Sequence, residues 1–262
     1  MLITTLFFIA GYMIIALEHV VKIDKAATAL FIGVVLWVIV AHTGVDFSET
    51  IISLKEHFEE IAEILFFLLG AMTIVELIDI HNGFEIILRV IKTRSMLVLL
   101  WVLCLLTFIL SAVLDNLTTT IVMMAILRKF LTSKSDLWYF AGFIIIAANA
   151  GGAWSPIGDV TTIMLWNGGQ VSTNSIITEV FLPSLACLLV PLLIASYSFK
   201  GKTIEAELPS TPKIQQISPR ESNFILLLGV GLLLMVPVFK AITHLPPFLG
   251  MLFSLCVLWL IT

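Results

Sequence analysis

The chain has 262 residues, of which 60% are hydrophobic and 12% are charged, and its mean hydropathy is +1.11. Soluble globular domains contain about 45–50% apolar and about 25% charged residues, so this composition excludes a soluble domain and indicates an all-α polytopic membrane protein. The formal net charge of −4 provides no broad basic surface, and we therefore expect no nucleic-acid partner.

Apolar runs in chain order predict the membrane-spanning helices, each of which needs about 20 residues. The first run, 1–17, has no basic residues before it and no cleavage pattern after it, so we interpret it as a span and not as a signal peptide. The second and third runs, 26–41 and 61–78, are separated by a polar, acidic segment. Within that segment we expect residues 48–60 to form a short amphipathic helix on the membrane surface.

The next apolar run begins at residue 95 and is interrupted at Asp115-Asn116, after which only about eleven residues precede Arg128. Eleven helical residues rise about 17 Å, which is too short for a hydrocarbon core of about 30 Å. We therefore predict that residues 95–127 form a re-entrant helical hairpin with Asp115-Asn116 at its buried tip. The alternative is that the two helices each cross the membrane completely at a thin point of the bilayer.

A second interruption divides the apolar segment 137–166, which we predict to be one span formed by a discontinuous helix. The residues that interrupt it are Asn149, Gly151, Gly152, Ser155, Pro156, Gly158, Asp159, Thr161 and Thr162. An interrupted helix is tolerated in a membrane only where protein buries it or where it lines a wet cavity. Two such breaks are typical of the binding site of a secondary transporter.

After one more span and a connector, the order of the first part is predicted to begin again. Residues 179–199 form a predicted span, residues 200–221 form a hydrophilic cytoplasmic connector with three prolines, and residues 222–262 hold two more apolar runs. We predict a first membrane repeat over 1–199 and the incomplete start of an inverted second repeat after the connector. Because the sequence stops inside an apolar run, we expect a truncated chain.

The distribution of lysine and arginine predicts the orientation. If the turn after the first span is cytoplasmic, all of the 14 Lys and Arg residues except Lys55 and Lys240 lie on the cytoplasmic side. The positive-inside rule therefore predicts that the N-terminus is outside and that both basic flanks of the hairpin are cytoplasmic.

The two breaks offer oxygen ligands of the kind that a small hard cation such as Na⁺ or Li⁺ prefers. Helix ends inside a membrane also present partial charges, negative at the carbonyl end and positive at the amide end. The candidate oxygen donors are Asp115, Asn116 and Thr118 at the hairpin tip and Asn149, Asp159, Thr161 and Thr162 in the broken helix. We expect Asp159, Asp115 and Asn149 to be the principal ligands of the transported cation.

A carboxyl group at this depth binds a proton or, when ionised, a metal cation, and competition between the two is sufficient for exchange. Charged groups inside a membrane are costly and usually functional, which favours this interpretation for Asp159. The structural alternative is that Asp115 and Asp159 only cap helices at bends, with Thr161 and Thr162 bonded to helix carbonyls. Glu63, near a span end, is expected to reach the headgroups.

Two segments closely resemble the motifs of a known family: SAVLDNLTTTIVM, from Ser111 to Met123, and ANAGGAWSPIGDVTTIMLW, from Ala148 to Trp166. They resemble the N-terminal-half motifs of the NhaD-type sodium/proton antiporters, a branch of the ion transporter superfamily. The resemblance implies an exchanger of Na⁺ or Li⁺ for H⁺ in the bacterial inner membrane, whose partners are the bilayer and monovalent cations, with no cofactor. It also implies inverted repeats that move in an elevator-like manner against a scaffold. The polar positions that it implies are Asp115, Asn116, Thr118, Thr119, Asn149, Asp159, Thr161 and Thr162.

Three alternatives stay open to test, one within transport and two from other classes. A carboxylate or oxyanion carrier of the same superfamily would need hydrogen-bond donors at the site, and acidic residues at both breaks argue against it. An intramembrane enzyme would need a catalytic set, and neither Asp115 nor Asp159 stands in a protease motif, so we expect no enzyme. A non-transporting fragment or assembly partner is the third alternative, and the sequence leaves open whether the protein is a homodimer.

Overall fold

The computed structural model describes residues 2–43, 47–91, 93–204 and 218–262. These residues form twelve helices, and their one β-bridge joins Ser95 to Thr203. In chain order the helices are α1 Leu2–Ala16, α2 Glu18–Val21, α3 Lys25–Thr43, α4 Phe47–Ile80, α5 Glu85–Val90, α6 Met96–Leu114, α7 Asn116–Phe130, α8 Lys134–Ala153, α9 Val160–Asn167, α10 Thr173–Phe199, α11 Pro219–Thr243 and α12 Pro247–Ile261. The chain divides into two compact units, Met1–Ala62 and Glu63–Thr262.

Five helices, α3, α4, α6, α10 and α11, are long and apolar enough to cross a membrane. The helices α1 and α12, with 15 residues each, are shorter but also apolar. A hydrocarbon core of about 30 Å requires helices of this length and composition. The prediction of an all-α polytopic membrane protein is confirmed.

In the first unit α1 packs against α3, and the Trp37 ring of α3 lies 5.9 Å from the His57 ring of α4. The acidic stretch 48–60 differs from its prediction as a separate surface helix, because it is the first part of the continuous, 34-residue α4. No glycine or proline occurs between Phe47 and Phe67 to end the helix. At about 51 Å, α4 exceeds the hydrocarbon core, so its acidic turns extend beyond an apolar span.

In the second unit the main packing is between α6 and α8, with α7 and α10 also packed against α8. A Cβ added at Gly151 of α8 would overlap the backbone of Phe108 in α6, so the two helix backbones are in direct contact there. The side chains of Leu99 and Leu103 in α6 and of Ile144 in α8 are fully buried. The segment that carries both sequence breaks is therefore the core of this unit.

The helices α6 and α7 are joined by Asp115 alone, whose φ of +89° is a conformation that few residues other than glycine adopt. Met96, at the start of α6, and Phe130, at the end of α7, line the same cavity of about 460 Å³. The chain therefore reverses at Asp115, as in a helical hairpin. At 15 residues, α7 rises about 22 Å, whereas α6 by itself is long enough to cross a membrane.

The open end of this hairpin also meets the end of α10. The backbone N–H of Met96 donates to the Lys202 carbonyl at 3.1 Å, and the N–H of Ile204 donates to the Arg94 carbonyl at 2.8 Å. Two basic side chains, Arg94 and Lys202, thus belong to the same end of the second unit. Most of the connector predicted over residues 200–221 lies outside the described residues, which omit 205–217.

Candidate functional site at two helix breaks

The break between α8 and α9 consists of residues 154–159, which are not helical. Pro156 has no backbone N–H and disfavours a helical conformation of Ser155 before it. The Ser155 hydroxyl instead accepts a hydrogen bond from the N–H of Ile157 at 3.3 Å. A Cβ added at Gly158 would lie 2.6 Å from the Ser111 carbonyl oxygen, so only glycine fits here. The sequence thus ends one helix and fixes the start of the next.

The two breaks lie against each other. Besides the approach of Gly158 to Ser111, the Ser111 hydroxyl donates to the Ala148 carbonyl at 2.5 Å. Ser111 belongs to the last turn of α6 and Ala148 to the last turns of α8. The tip of the hairpin is therefore placed beside the interruption of the broken helix.

Four of the predicted site residues converge at this junction. The Asn116 Nδ2 donates to Asn149 Oδ1 and to Asp159 Oδ1, each at 3.1 Å. The Thr161 hydroxyl donates to the other oxygen of Asp159 in a short hydrogen bond. The Asn149 Nδ2 donates to the Ile145 carbonyl at 2.8 Å, which leaves its oxygen facing Asn116. Residues from both breaks thus form one polar cluster around the Asp159 carboxylate.

Asp115 is arranged differently, because it caps α7. Its Oδ1 accepts from the backbone N–H of Thr118 at 2.8 Å, and its Oδ2 accepts from the Thr118 hydroxyl at 2.7 Å. The side chain is buried, with 8% of its surface exposed. Asp159 occupies the corresponding N-cap position of α9 but makes no capping hydrogen bond. The structural alternative of a helix cap therefore describes Asp115 and not Asp159.

The remaining two predicted residues lie on inner helix faces. Thr119 is fully buried, and its hydroxyl has no hydrogen-bond partner within the described part of the chain. Thr162 is 9% exposed, on the buried face of α9. The structure therefore brings Asn116, Asn149, Asp159 and Thr161 together, pairs Asp115 with Thr118, and leaves the other two threonines outside the hydrogen-bonded cluster.

The polar cluster lies at the surface of the second unit. Asn149 and Thr161 are exposed, and Asn116 and Asp159 are partly buried. Across the described residues, neither Asp159 nor Asp115 has a basic partner within ion-pair distance. The helices that carry these residues also expose large apolar side chains within about a turn and a half of them: Leu117, Ile121, Ile145 and Met164. Because polar groups of this kind cannot face lipid tails without cost, we expect water or protein to cover them.

A second group of polar contacts, which the sequence pattern does not reveal, lies at the other end of α9. The Asn167 Nδ2 donates to Glu63 at 2.6 Å, and the Lys240 ammonium donates to the Trp166 carbonyl at 2.8 Å. Glu63 thus has a protein partner in addition to any headgroup. The only signal in the sequence is that Glu63 and Lys240 are charged residues beside apolar runs, which gives no indication of their partners.

Comparisons with known proteins agree with the motifs. The "Sodium/proton antiporter 1" of Arabidopsis thaliana is 42% identical over 257 residues, which are 98% of this chain and 44% of that protein. The "Sodium/proton antiporter 2" of the same plant is 42% identical over 261 residues, which cover 98% of this chain and 61% of that protein. The "Na(+)/H(+) antiporter NhaD" of Vibrio cholerae is 33% identical over 261 residues, which cover 97% of this chain and 53% of that protein.

The chain thus spans about half the length of these curated relatives. No solved structure matches it significantly. The predicted resemblance to the NhaD-type antiporters is confirmed. A profile of the family described as "Citrate transporter" matches residues 4–261. Because this match covers nearly the whole sequence, the chain belongs to the citrate transporter family.

Proposed function

We propose that the protein to which this chain belongs exchanges Na⁺ or Li⁺ for H⁺ across a membrane, and that Asp159 is the carboxylate for which cation and proton compete. The observation that supports this most is the convergence of both helix breaks on Asp159. Its two oxygens accept from neutral donors, and the described residues place no basic side chain against it. A carboxylate without a cationic partner inside a membrane protein is suited to bind a cation.

The amide of Asn116 is suited to both states of the exchange. With its NH₂ group toward the cluster, it donates to Asp159 and to Asn149. When this amide turns about its last torsion, it presents an oxygen instead, so that Asn116, Asn149 and Asp159 together offer three oxygens to a hard cation. Protonation of Asp159 removes the negative charge and releases the cation. Thr161 steadies the carboxylate in either state by its hydroxyl, which both donates and accepts.

The names of the relatives support a cation as the substrate, because the two plant proteins and the Vibrio cholerae protein are each named as sodium/proton antiporters. We further propose that the N-terminus is outside and that α6 and α7 re-enter the cytoplasmic face. The clustering of Arg94 and Lys202 at the open end of the hairpin supports this orientation. Na⁺ or Li⁺, protons and the lipid bilayer are then the partners of the protein.

The second candidate function is transport of a carboxylate such as citrate, and the description of the matching family favours it. A polyanion requires cationic groups or several free N–H donors at its site. The cluster instead presents a carboxylate and, once Asn116 has turned, amide oxygens. We therefore rank carboxylate transport below cation exchange.

The test is to express the gene of this protein at its natural length in a bacterium that lacks its own Na⁺/H⁺ antiporters. Everted membrane vesicles are acidified by respiration, and the decay of the pH gradient is followed after addition of NaCl, LiCl or choline chloride. We expect Na⁺ or Li⁺, but not choline, to dissipate the gradient. Absence of a response to either cation across the alkaline range, with the protein present in the membrane, would contradict the proposal, and uptake of labelled citrate would support the second candidate.

A further inference from the structure

The C-terminal end of α9 is held by polar contacts to two other helices of the second unit. Asn167, the last residue of α9, donates its side-chain N–H to the Glu63 carboxylate of α4 at 2.6 Å. The Lys240 ammonium of α11 donates to the carbonyl of Trp166 at 2.8 Å and lies 4.3 Å from the centre of the Trp166 ring. Three helices are thus joined at one point.

These contacts are chemically favourable for this position. The carbonyls at the C-terminal end of a helix lack partners within the helix and carry partial negative charge, which a lysine ammonium stabilises. The face of a tryptophan ring attracts the same cation. Glu63 also acts electrostatically on Lys240. A charged lysine at the end of an apolar helix therefore finds a carbonyl, a ring and a nearby carboxylate together.

Asp159 directly precedes α9, and the contacts of Trp166 and Asn167 hold the opposite end of this short helix. The helix has eight residues and rises about 12 Å, so it behaves as a rigid rod between its two ends. Before it lies the segment 154–159, which is packed at Gly158 but is not helical, so the helical hydrogen bonds of α8 do not continue into α9. The position of Asp159 therefore depends on the packing of the break and also on the contacts that hold the other end of α9 at Trp166 and Asn167.

We propose that Lys240, together with Glu63 and Asn167, is a positioning group that sets the place of Asp159 through α9. These residues do not touch the cation; they hold the helix whose first end bears the carboxylate. The role of this group in exchange rests on the proposed antiport function, whereas its effect on the position of α9 does not. Two measurements separate the proposals, one on exchange and one on helix position.

The first measurement is the half-saturating Na⁺ concentration in everted vesicles. Lys240→Met removes the ammonium and Asn167→Ala removes the bond to Glu63, and we expect each to raise this concentration about 3- to 10-fold because a net hydrogen-bond contribution is lost. Lys240→Arg keeps a hydrogen-bond donor and the positive charge, so it should retain most of the affinity for Na⁺. The matched control is Lys55→Met, at an exposed lysine, which should leave the half-saturating concentration unchanged. Equal affinity in all variants would overturn the role in exchange.

The second measurement is the distance between spin labels at Val160→Cys, beside Asp159, and Leu227→Cys on α11, with Cys104, Cys187 and Cys256 replaced by alanine. Both labelled positions are exposed. We expect Lys240→Met and Asn167→Ala to shift or broaden the distance distribution, and Lys240→Arg and Lys55→Met to preserve it. An unchanged distribution in Lys240→Met would overturn the positioning role whatever the exchange assay shows. A changed distribution in a protein that exchanges no cation would retain the positioning role and refute the antiport function.

Discussion

The two helix breaks are similar in sequence and different in structure. Each places an aspartate directly before a helix whose first turn contains threonines, at Asp115 before α7 and at Asp159 before α9. At the first break a single residue reverses the chain, and both carboxylate oxygens accept hydrogen bonds from Thr118 at the start of the helix. At the second break six residues separate the helices, and the carboxylate is bonded to side chains and not to the helix N–H groups. An aspartate in an apolar segment is therefore either a cap or a ligand, and its hydrogen bonds distinguish the two roles.

The largest effect that this comparison predicts is that of Asp159→Asn. The substitution keeps the size of the side chain but removes both the negative charge and the proton-binding group, so we expect Na⁺- and Li⁺-dependent exchange to fall to the background of vesicles that lack the protein. The measurement is the decay of the pH gradient described above. Asp136→Asn, in the first turn of α8, makes the same chemical change outside the cluster and should retain exchange. Near-normal exchange in Asp159→Asn would remove this residue from the mechanism.

The next largest effect concerns the residue that joins the two breaks. Asn116→Ala removes the hydrogen bonds to Asn149 and Asp159. The substitution also removes the oxygen that Asn116 presents to the cation once its amide has turned. If this ligand contributes as much as a hydrogen bond to a charged group, about 1.5–3 kcal/mol, the half-saturating Na⁺ concentration should rise roughly 10- to 100-fold. Asn174→Ala, at an exposed position in the first turn of α10, is the matched control. If both variants kept wild-type affinity, the cluster would not be the cation site.

A smaller effect, on stability, tests the contact between the breaks. Gly158→Ala would place a Cβ 2.6 Å from the Ser111 carbonyl oxygen, and we expect it to destabilise the protein by about 1–3 kcal/mol. Gly142→Ala is the control, because no atom lies within 4 Å of an added Cβ at that position of α8. The thermal transition of each variant in detergent provides the measurement. Equal transition temperatures would show that the two breaks are not packed as described.

The smallest effect is expected at the first aspartate. Asparagine is about as good an N-cap as aspartate, so Asp115→Asn should change the rate of exchange by less than about 3-fold. Asp115→Ala should cost about 1 kcal/mol of stability because the cap is lost. Loss of exchange in Asp115→Asn as complete as that expected for Asp159→Asn would show that both carboxylates are ligands, as the sequence predicts, and would refute the distinction between the two breaks.

The features that could be predicted from the sequence are those that local composition determines. Polar residues and glycines inside apolar runs indicate both breaks, and the eleven or so residues after Asn116 indicate that the chain turns back. The sequence also identifies Asn116, Asn149, Asp159 and Thr161, which lie together in the structure. Positions with special backbone or solvation requirements can be recognised in a single sequence because few residue types satisfy those requirements.

The features that could not be predicted are choices between partners distant in sequence. Asn167 and Glu63 are 104 residues apart, and no local pattern specifies that they meet. The same limit applies to the two aspartates, since an N-cap position and a ligand position require the same residue type. The continuous α4 differs from its prediction for another reason: acidic turns and apolar turns are equally compatible with a helix, so the change of polarity near residue 61 does not end it.

The direct contact of Gly151 with the backbone of Phe108 has a mechanical consequence. Two helices that touch through their main chains have no side-chain layer between them that could rearrange, so α6 and α8 cannot slide past each other without breaking the contact. The end of α6 and the end of α8 are then held together at this contact. Any motion of the polar cluster must therefore move α6 and α8 together.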